Sequence, residues 1–452
     1  MGEVYVIGLS KETKMKNAKL HPDTLAIHAG HRPADHQGAV KPPIHATSTF
    51  VFPTAEEGAA HMEAAYGVEG AVAPDSGYIY SRLGNPTRTA AEERLAALDG
   101  ADVSAFFSSG MAAISTALLA WSGPDRAVWY APPLYGGTTH FLNEVLPVKG
   151  TPVEVLDVAP GGADLVSALE AKRLATGTLP GIIFLETPAN PTMQVVRIST
   201  AADWARMHST PEHRILVFVD NTYLGPLMQR PLEVGADLVL YSATKYIGGH
   251  SDLIAGAASG AADIMEAVVG FRHFLGGMAD PWTSWLLARS METLPIRFER
   301  QQSTAKSILD FLRAHPAVGT VRSAHAEDLS PDAALAMAEQ SSGAGSMLAF
   351  EVDGGREAAF KVLNAFNVFS LAVSLGSTES LAEHPASMTH AGVPADQKIQ
   401  YGITEGLIRL SIGLEHPGDL IADLDAALAV LRSTSSPYFS SSKGHEETGI
   451  LV

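Results

Sequence analysis

Between residues 86 and 292 the chain alternates short, largely apolar runs with longer stretches whose apolar positions recur at helical spacing. The runs fall at 104–107, 127–130, 153–158, 181–185, 214–219 and 237–241. Apolar runs this short suit strands buried on both faces, and their alternation with helical segments predicts a parallel-rich sheet covered by helices. Helical patterns at 282–293 and, past Pro295, up to 314 predict a link to a second unit. Residues 346–432 then mix strands (347–352, 408–414) with helices (357–366, 420–431), the pattern of a smaller α+β unit. Residues 1–85, with Lys41-Pro42-Pro43-Ile44-His45 and Phe52-Pro53, show no sustained period and predict an extended arm of the kind that wraps a neighbouring subunit. The expected organisation is an arm (1–85), a large α/β domain (86–292), a C-terminal α+β domain (293–432) and a Ser-rich flexible tail (433–452).

Composition narrows the function. A chain of 452 residues can bury a large core, and 31 Lys+Arg against 49 Asp+Glu give a net charge of −18. That charge argues against nucleic acid or an anionic membrane as a partner. The absence of cysteine excludes disulfides, thiolate nucleophiles and cysteine-ligated metals. The 17 histidines are scattered without metal-ligand spacing, so no metal is expected. The first 20 residues lack the charged start and apolar block of a signal peptide, and no segment reaches membrane-spanning length without a charge. A soluble cytoplasmic enzyme is the expectation.

The stretch Tyr241-Ser242-Ala243-Thr244-Lys245 ends a strand-like run in two hydroxyls and an amine. An aldehyde cofactor such as pyridoxal 5'-phosphate needs an amine for a Schiff base, donors for its phosphate and an acid for its ring nitrogen. Lys245, Ser242 with Thr244, and Asp220 at the end of the run 214–219 supply all three. Taken alone, Lys245 reads as a surface charge and the hydroxyls as turn caps. Together with Glu186 they stand after three successive runs, at the strand ends where open α/β sheets bind ligands. Ser108-Ser109-Gly110-Met111 follows another run and opens a helical pattern, so its amides can face an anion; capping by Ser109 accounts equally well for that segment by itself. Tyr135, in a Gly-flanked turn, can stack on a planar cofactor or sit as a surface tyrosine.

These residues resemble the cystathionine γ-synthase, cystathionine γ-lyase and methionine γ-lyase group of Cys/Met-metabolism enzymes, which have the aspartate-aminotransferase fold. The resemblance runs nearly end to end, through Tyr80-Ser81-Arg82, Ser109-Gly110-Met111, Tyr135-Gly136-Gly137-Thr138, Glu186-Thr187-Pro188-Ala189-Asn190-Pro191, Asp220-Asn221-Thr222, Ser242-Ala243-Thr244-Lys245-Tyr246, Ser374-Leu375-Gly376 and Arg409-Leu410-Ser411-Ile412-Gly413. It implies the fold type I architecture and a catalytic Lys245 that binds the cofactor and shuttles protons. It also implies that Asp220 pairs with the ring nitrogen, that Tyr135 stacks on the ring and assists proton transfer, and that Asn190 lies by the ring hydroxyl. Gly110, Met111, Ser242 and Thr244 would hold the phosphate, with Tyr80 and Arg82 reaching it from a neighbouring subunit. A dimer with shared sites follows, and a tetramer with it. Arg409, helped by Ser374, would clamp the substrate carboxylate.

The family divides between γ-elimination and γ-replacement, which the shared motifs do not separate. Ala372-Val373-Ser374-Leu375-Gly376 and His384-Pro385-Ala386-Ser387-Met388-Thr389-His390 resemble the methionine γ-lyase branch. Val373 stands where cystathionine-cleaving relatives carry glutamate, and valine cannot hold a distal ammonium. Gly137 replaces that branch's cysteine, the stretch 270–275 lacks its Lys-Asp pair, and 67–77 is longer than the family norm. The expected activity is γ-elimination from methionine, homocysteine or a related amino acid, canavanine included. γ-Replacement is the alternative, and a cofactor-free binding protein with the same fold is the remaining one.

Overall fold

The computed structural model describes residues 20–72, 74, 77–158 and 164–432. The tail expected at 433–452 lies outside the described residues, as do three positions of the 67–77 segment. Seven strands form the larger sheet: β1 (Val103–Phe107), β2 (Ala127–Tyr130), β3 (Val153–Val155), β4 (Pro180–Glu186), β5 (Leu216–Asp220), β6 (Leu238–Tyr241) and β7 (Gly256–Gly260). Their order is β1-β7-β6-β5-β4-β2-β3.

All residues of β4 and β5 are buried, as continuous apolar runs require when both faces of a sheet are covered. One face packs Val128, Phe184, Phe218 and Leu240 against Ile114, Leu118 and Val268 of helices Gly110–Trp121 and Ala262–Leu275. The alternate residues Trp129, Ile183, Val217 and Val219 face Leu169 and Trp204 of helices Leu165–Thr176 and Ile198–His208.

The sheet meets its expectation in the main, and the arm departs from its own. The sheet is parallel-rich, but β7 runs antiparallel to both β1 and β6. Its sequence Gly-Ala-Ala-Ser-Gly has no bulky apolar residue, so hydrophobic patterning passes over it. The arm is not wholly extended either: helix Ala55–Ala65 lies within it, capped by the Thr54 hydroxyl on the Glu57 amide at 3.1 Å.

Helices Pro281–Met291 and Leu294–Ala314 lead to the second sheet. Its strands are β8 (Val321–Arg322), β9 (Met347–Glu351), β10 (Ser370–Leu371), β11 (Leu381–Glu383) and β12 (Leu407–Ser411), in the order β10-β11-β12-β9-β8. Leu348, Phe350, Ile408 and Leu410 bury one face against helices Leu294–Ala314, Gly355–Ala365 and Pro417–Arg432.

Candidate active site

The carboxyl ends of β4, β5 and β6 lie side by side, and the candidate chemistry gathers there. The register pairs Glu186 with Asp220, and only 6% and 5% of these residues remain exposed. Asp220 accepts hydrogen bonds from the Thr222 amide (3.0 Å) and hydroxyl (2.6 Å). The same hydroxyl accepts the Ser242 amide at 2.9 Å, tying the end of β5 to the segment that carries Lys245. Glu186 accepts the amides of Tyr135 (2.7 Å) and Asn190 (2.9 Å). Burial raises the pKa of both carboxyls above the ordinary range, and the charge of Asp220 raises that of Glu186 further.

Lys245 reaches the second sheet. Its Nζ donates to the Ser374 hydroxyl at 2.9 Å, while the Ser374 carbonyl accepts Arg409 Nη2 at 2.7 Å. Burial, followed by the charge of Arg409, lowers the Lys245 pKa to about 8. Ser374 is held with φ at 97°, a conformation that L-residues rarely adopt. Arg409 is buried in β12, and its Nη1 donates to Asn190 Oδ1 at 2.9 Å. The Tyr223 hydroxyl donates to the same oxygen at 2.6 Å.

The segments expected to face the phosphate lie side by side. Ser109 caps the Ala112 amide at 3.0 Å, so helix Gly110–Trp121 starts beside Ser242. A Cβ on Gly110 would stand 2.9 Å from the Ser242 Cβ, so only glycine allows this approach. The Thr244 hydroxyl donates to the Ala255 carbonyl (3.1 Å) and accepts the Ala255 amide (3.0 Å). It braces the Lys245 turn, and only its remaining lone pair is open. Tyr135 is 43% exposed at the mouth of the turn, and Val373 is exposed next to Ser374. Tyr80 and Arg82 lie in the arm: Arg82 Nη1 donates to the His273 carbonyl at 2.6 Å, and its guanidinium lies 5.7 Å from the Tyr80 ring centroid.

Asp220 and Glu186 form no ion pair among the described residues, although a buried carboxylate ordinarily has one. A protonated pyridine nitrogen would supply the cation this pair lacks. With the Lys245 amine on one side and the Gly110 helix start on the other, the residues fit pyridoxal phosphate. Residues 23–429 match the family described as Cys/Met metabolism PLP-dependent enzyme. The chain belongs to this family.

Among its relatives in the family, the L-methionine gamma-lyase of Pseudomonas putida is 40% identical over 409 residues, covering 90% of this chain and 96% of that one. The L-methionine gamma-lyase of Porphyromonas gingivalis is also 40% identical, over 407 residues, covering 90% and 96%. The cystathionine gamma-lyase of Bacillus subtilis is 36% identical over 406 residues, covering 90% and 98%. The crystal structure of cystathionine gamma synthase from Xanthomonas oryzae pv. oryzae in complex with cystathionine superposes with a TM-score of 0.80 at 34% identity, over 92% of this chain and 99% of that one. The chain is accordingly a PLP-dependent enzyme of fold type I, in a family of trans-sulfuration lyases and synthases.

Three contributors to the site went unread in the sequence. The Thr222 hydroxyl holds Asp220, Tyr223 holds Asn190, and Glu383 of β11 pairs with Arg409 at 2.7 Å. The motif Asp220-Asn221-Thr222 carried a signal for the first. The other two depend on long-range packing that leaves no local pattern.

Proposed function

We propose that this enzyme catalyses γ-elimination from a small γ-substituted L-amino acid. For methionine, the amino acid and one water would give 2-oxobutanoate, ammonia and methanethiol. The observation that carries the reading is the line Lys245–Ser374–Arg409: an amine with a pKa near neutrality stands one residue away from a buried guanidinium. A lysine at about 8 can hold and release a proton at working pH, as acid–base chemistry at two neighbouring substrate carbons demands.

In this reading Arg409 binds the α-carboxylate and Ser374 steers Lys245. Bound pyridoxal phosphate supplies a conjugated ring that accepts electrons from the substrate's α-carbon. Asp220 keeps the ring nitrogen protonated, Asn190 lies by the ring hydroxyl, and Tyr135 covers the ring. Gly110, Met111, Ser242 and Thr244 face the phosphate, with Tyr80 and Arg82 arriving from a neighbouring subunit in a dimer or tetramer. The domain division at 85, 292 and 432 and a cytoplasmic location belong to the same reading. The similarity to L-methionine gamma-lyases supports methionine as the first substrate to test.

The test is release of ammonia and a 2-oxo acid from methionine, homocysteine, cystathionine, O-acetylhomoserine and canavanine, with no thiol added. Release from one of them identifies the leaving group. No release from any, with cofactor bound, overturns elimination in favour of γ-replacement.

A further inference from the structure

Glu383 and Arg409 face each other across the β11/β12 register, with Oε1 and Nη1 2.7 Å apart. Their side chains are 0% and 2% exposed, so the pair is sealed from water. Arg409 therefore meets any ligand with its charge already balanced. Glu383 Oε1 also accepts the Thr389 hydroxyl at 2.9 Å, whereas Glu383 Oε2 and Arg409 Nε have no partner among the described residues. A buried pair with an orphaned atom on each side is unfinished, because each orphan carries its full desolvation cost.

The inference rests on the reading of Arg409 as the carboxylate clamp. A substrate carboxylate arriving there places two carboxylates on one guanidinium. Two carboxyl groups crowded into one dry site do not both stay ionised, and the more buried one takes a proton. We propose that Glu383 is a positioning residue that takes up one proton when the substrate carboxylate binds Arg409, so that binding strength is set by pH at a group outside the cofactor chemistry.

The surroundings agree. Burial raises the Glu383 carboxyl pKa, while the charges of Arg409 and Lys245 and the Thr389 hydrogen bond oppose the rise. Neighbouring His384 is engaged at both nitrogens, with the Ser387 hydroxyl (2.7 Å) and the Glu405 carbonyl (2.9 Å). His390, reached through Thr389, is pushed down to about 4 by burial and stays neutral in the working range. Tyr223 is held neutral by burial, and β10, the other neighbour of β11, carries only Ser370 and Leu371. Glu383 is thus the carboxyl in this cluster free to change its proton.

The test titrates the holoenzyme calorimetrically with 4-(methylsulfanyl)butanoate, which is methionine without its amino group and engages the site through its carboxylate. Titrations run between about pH 6 and pH 9, in two buffers of different ionisation enthalpy. The expected result is uptake approaching one proton per site, with affinity falling by up to about tenfold for each pH unit. Glu383→Gln is expected to bind tighter at the alkaline end, by up to about tenfold for each pH unit over which native affinity has fallen, and without uptake. Uptake that persists unchanged in Glu383→Gln overturns the proposal. So does its absence in the native enzyme, a result that needs no variant. If Arg409→Ala binds the probe as tightly as the native enzyme, the clamp reading has failed instead, and the inference falls with it.

Discussion

Glu186 and Asp220 stand in register at the ends of adjacent parallel strands, two buried carboxyls with no cation between them among the described residues. Both have pKa values raised by burial. A carboxyl raised in the folded state stabilises the fold fully below its unfolded value, and that contribution is lost as pH rises through the folded value. Cofactor-free protein should therefore lose stability from about pH 4 upward, through the range to which the pair is raised. A cofactor that pairs with Asp220 should reverse part of the loss. Melting temperatures of the two forms across pH check this, and Glu186→Gln should flatten the cofactor-free curve.

Ser374 combines a hydroxyl that accepts a hydrogen bond from Lys245 with a strained backbone. At φ 97° a side chain costs about 1–3 kcal/mol, whereas replacing it by glycine raises unfolded-state entropy by about 0.4–1 kcal/mol. Strain relief is the larger effect. Ser374→Gly should thus be more stable than Ser374→Ala by about 1 kcal/mol in denaturant unfolding, while both lose the hydrogen bond to Lys245 and much of the activity. Equal stabilities would mean that the conformation is not strained.

Arg82 is expected to act on a partner's cofactor. Arg82→Ala should weaken cofactor retention by roughly tenfold to a hundredfold, the worth of a hydrogen bond to a charged group, as read by absorbance after gel filtration. Mixing Arg82→Ala with Lys245→Ala subunits should regenerate one complete site per mixed dimer and restore activity. Failure to restore it would confine each site to a single chain.

Gly137 leaves room that a side chain would take. A Cβ there would lie 2.7 Å from the Tyr135 ring and 3.2 Å from Met111 Sδ, two residues of the candidate cofactor site. Gly137→Cys should displace Tyr135, lowering kcat/KM by about tenfold or more and stability by about 1–3 kcal/mol. Steady-state kinetics on the best substrate, alongside thermal unfolding, measures both. A variant with native kinetics would show that Tyr135 has slack.

Much of this site was legible in the sequence, because its chemistry sits where local patterns end. Apolar runs stop at Glu186, Asp220 and Tyr241, so the residues that follow had to face a ligand or water. β7 was not legible, since five small residues owe their strand conformation to the neighbours on either side. The helix at Ala55–Ala65 was missed because its alanines supply propensity without a strong apolar stripe. Glu383 gave no signal at all. Its meaning lies in a register between strands separated by more than twenty residues, and in burial that no local pattern encodes for a charged side chain.

The bond from Lys245 to Ser374 crosses from the larger sheet's turn to the loop before β11, and this divides the labour of the molecule. The groups suited to the cofactor end β4, β5 and β6, whereas the guanidinium suited to the substrate belongs to β12. Each half rests on its own hydrophobic core. A substitution beside Arg409 in the smaller sheet would act on the substrate's side and leave the groups at the ends of β4, β5 and β6 in place. One chassis can therefore carry several trades, each fitted from the smaller layer.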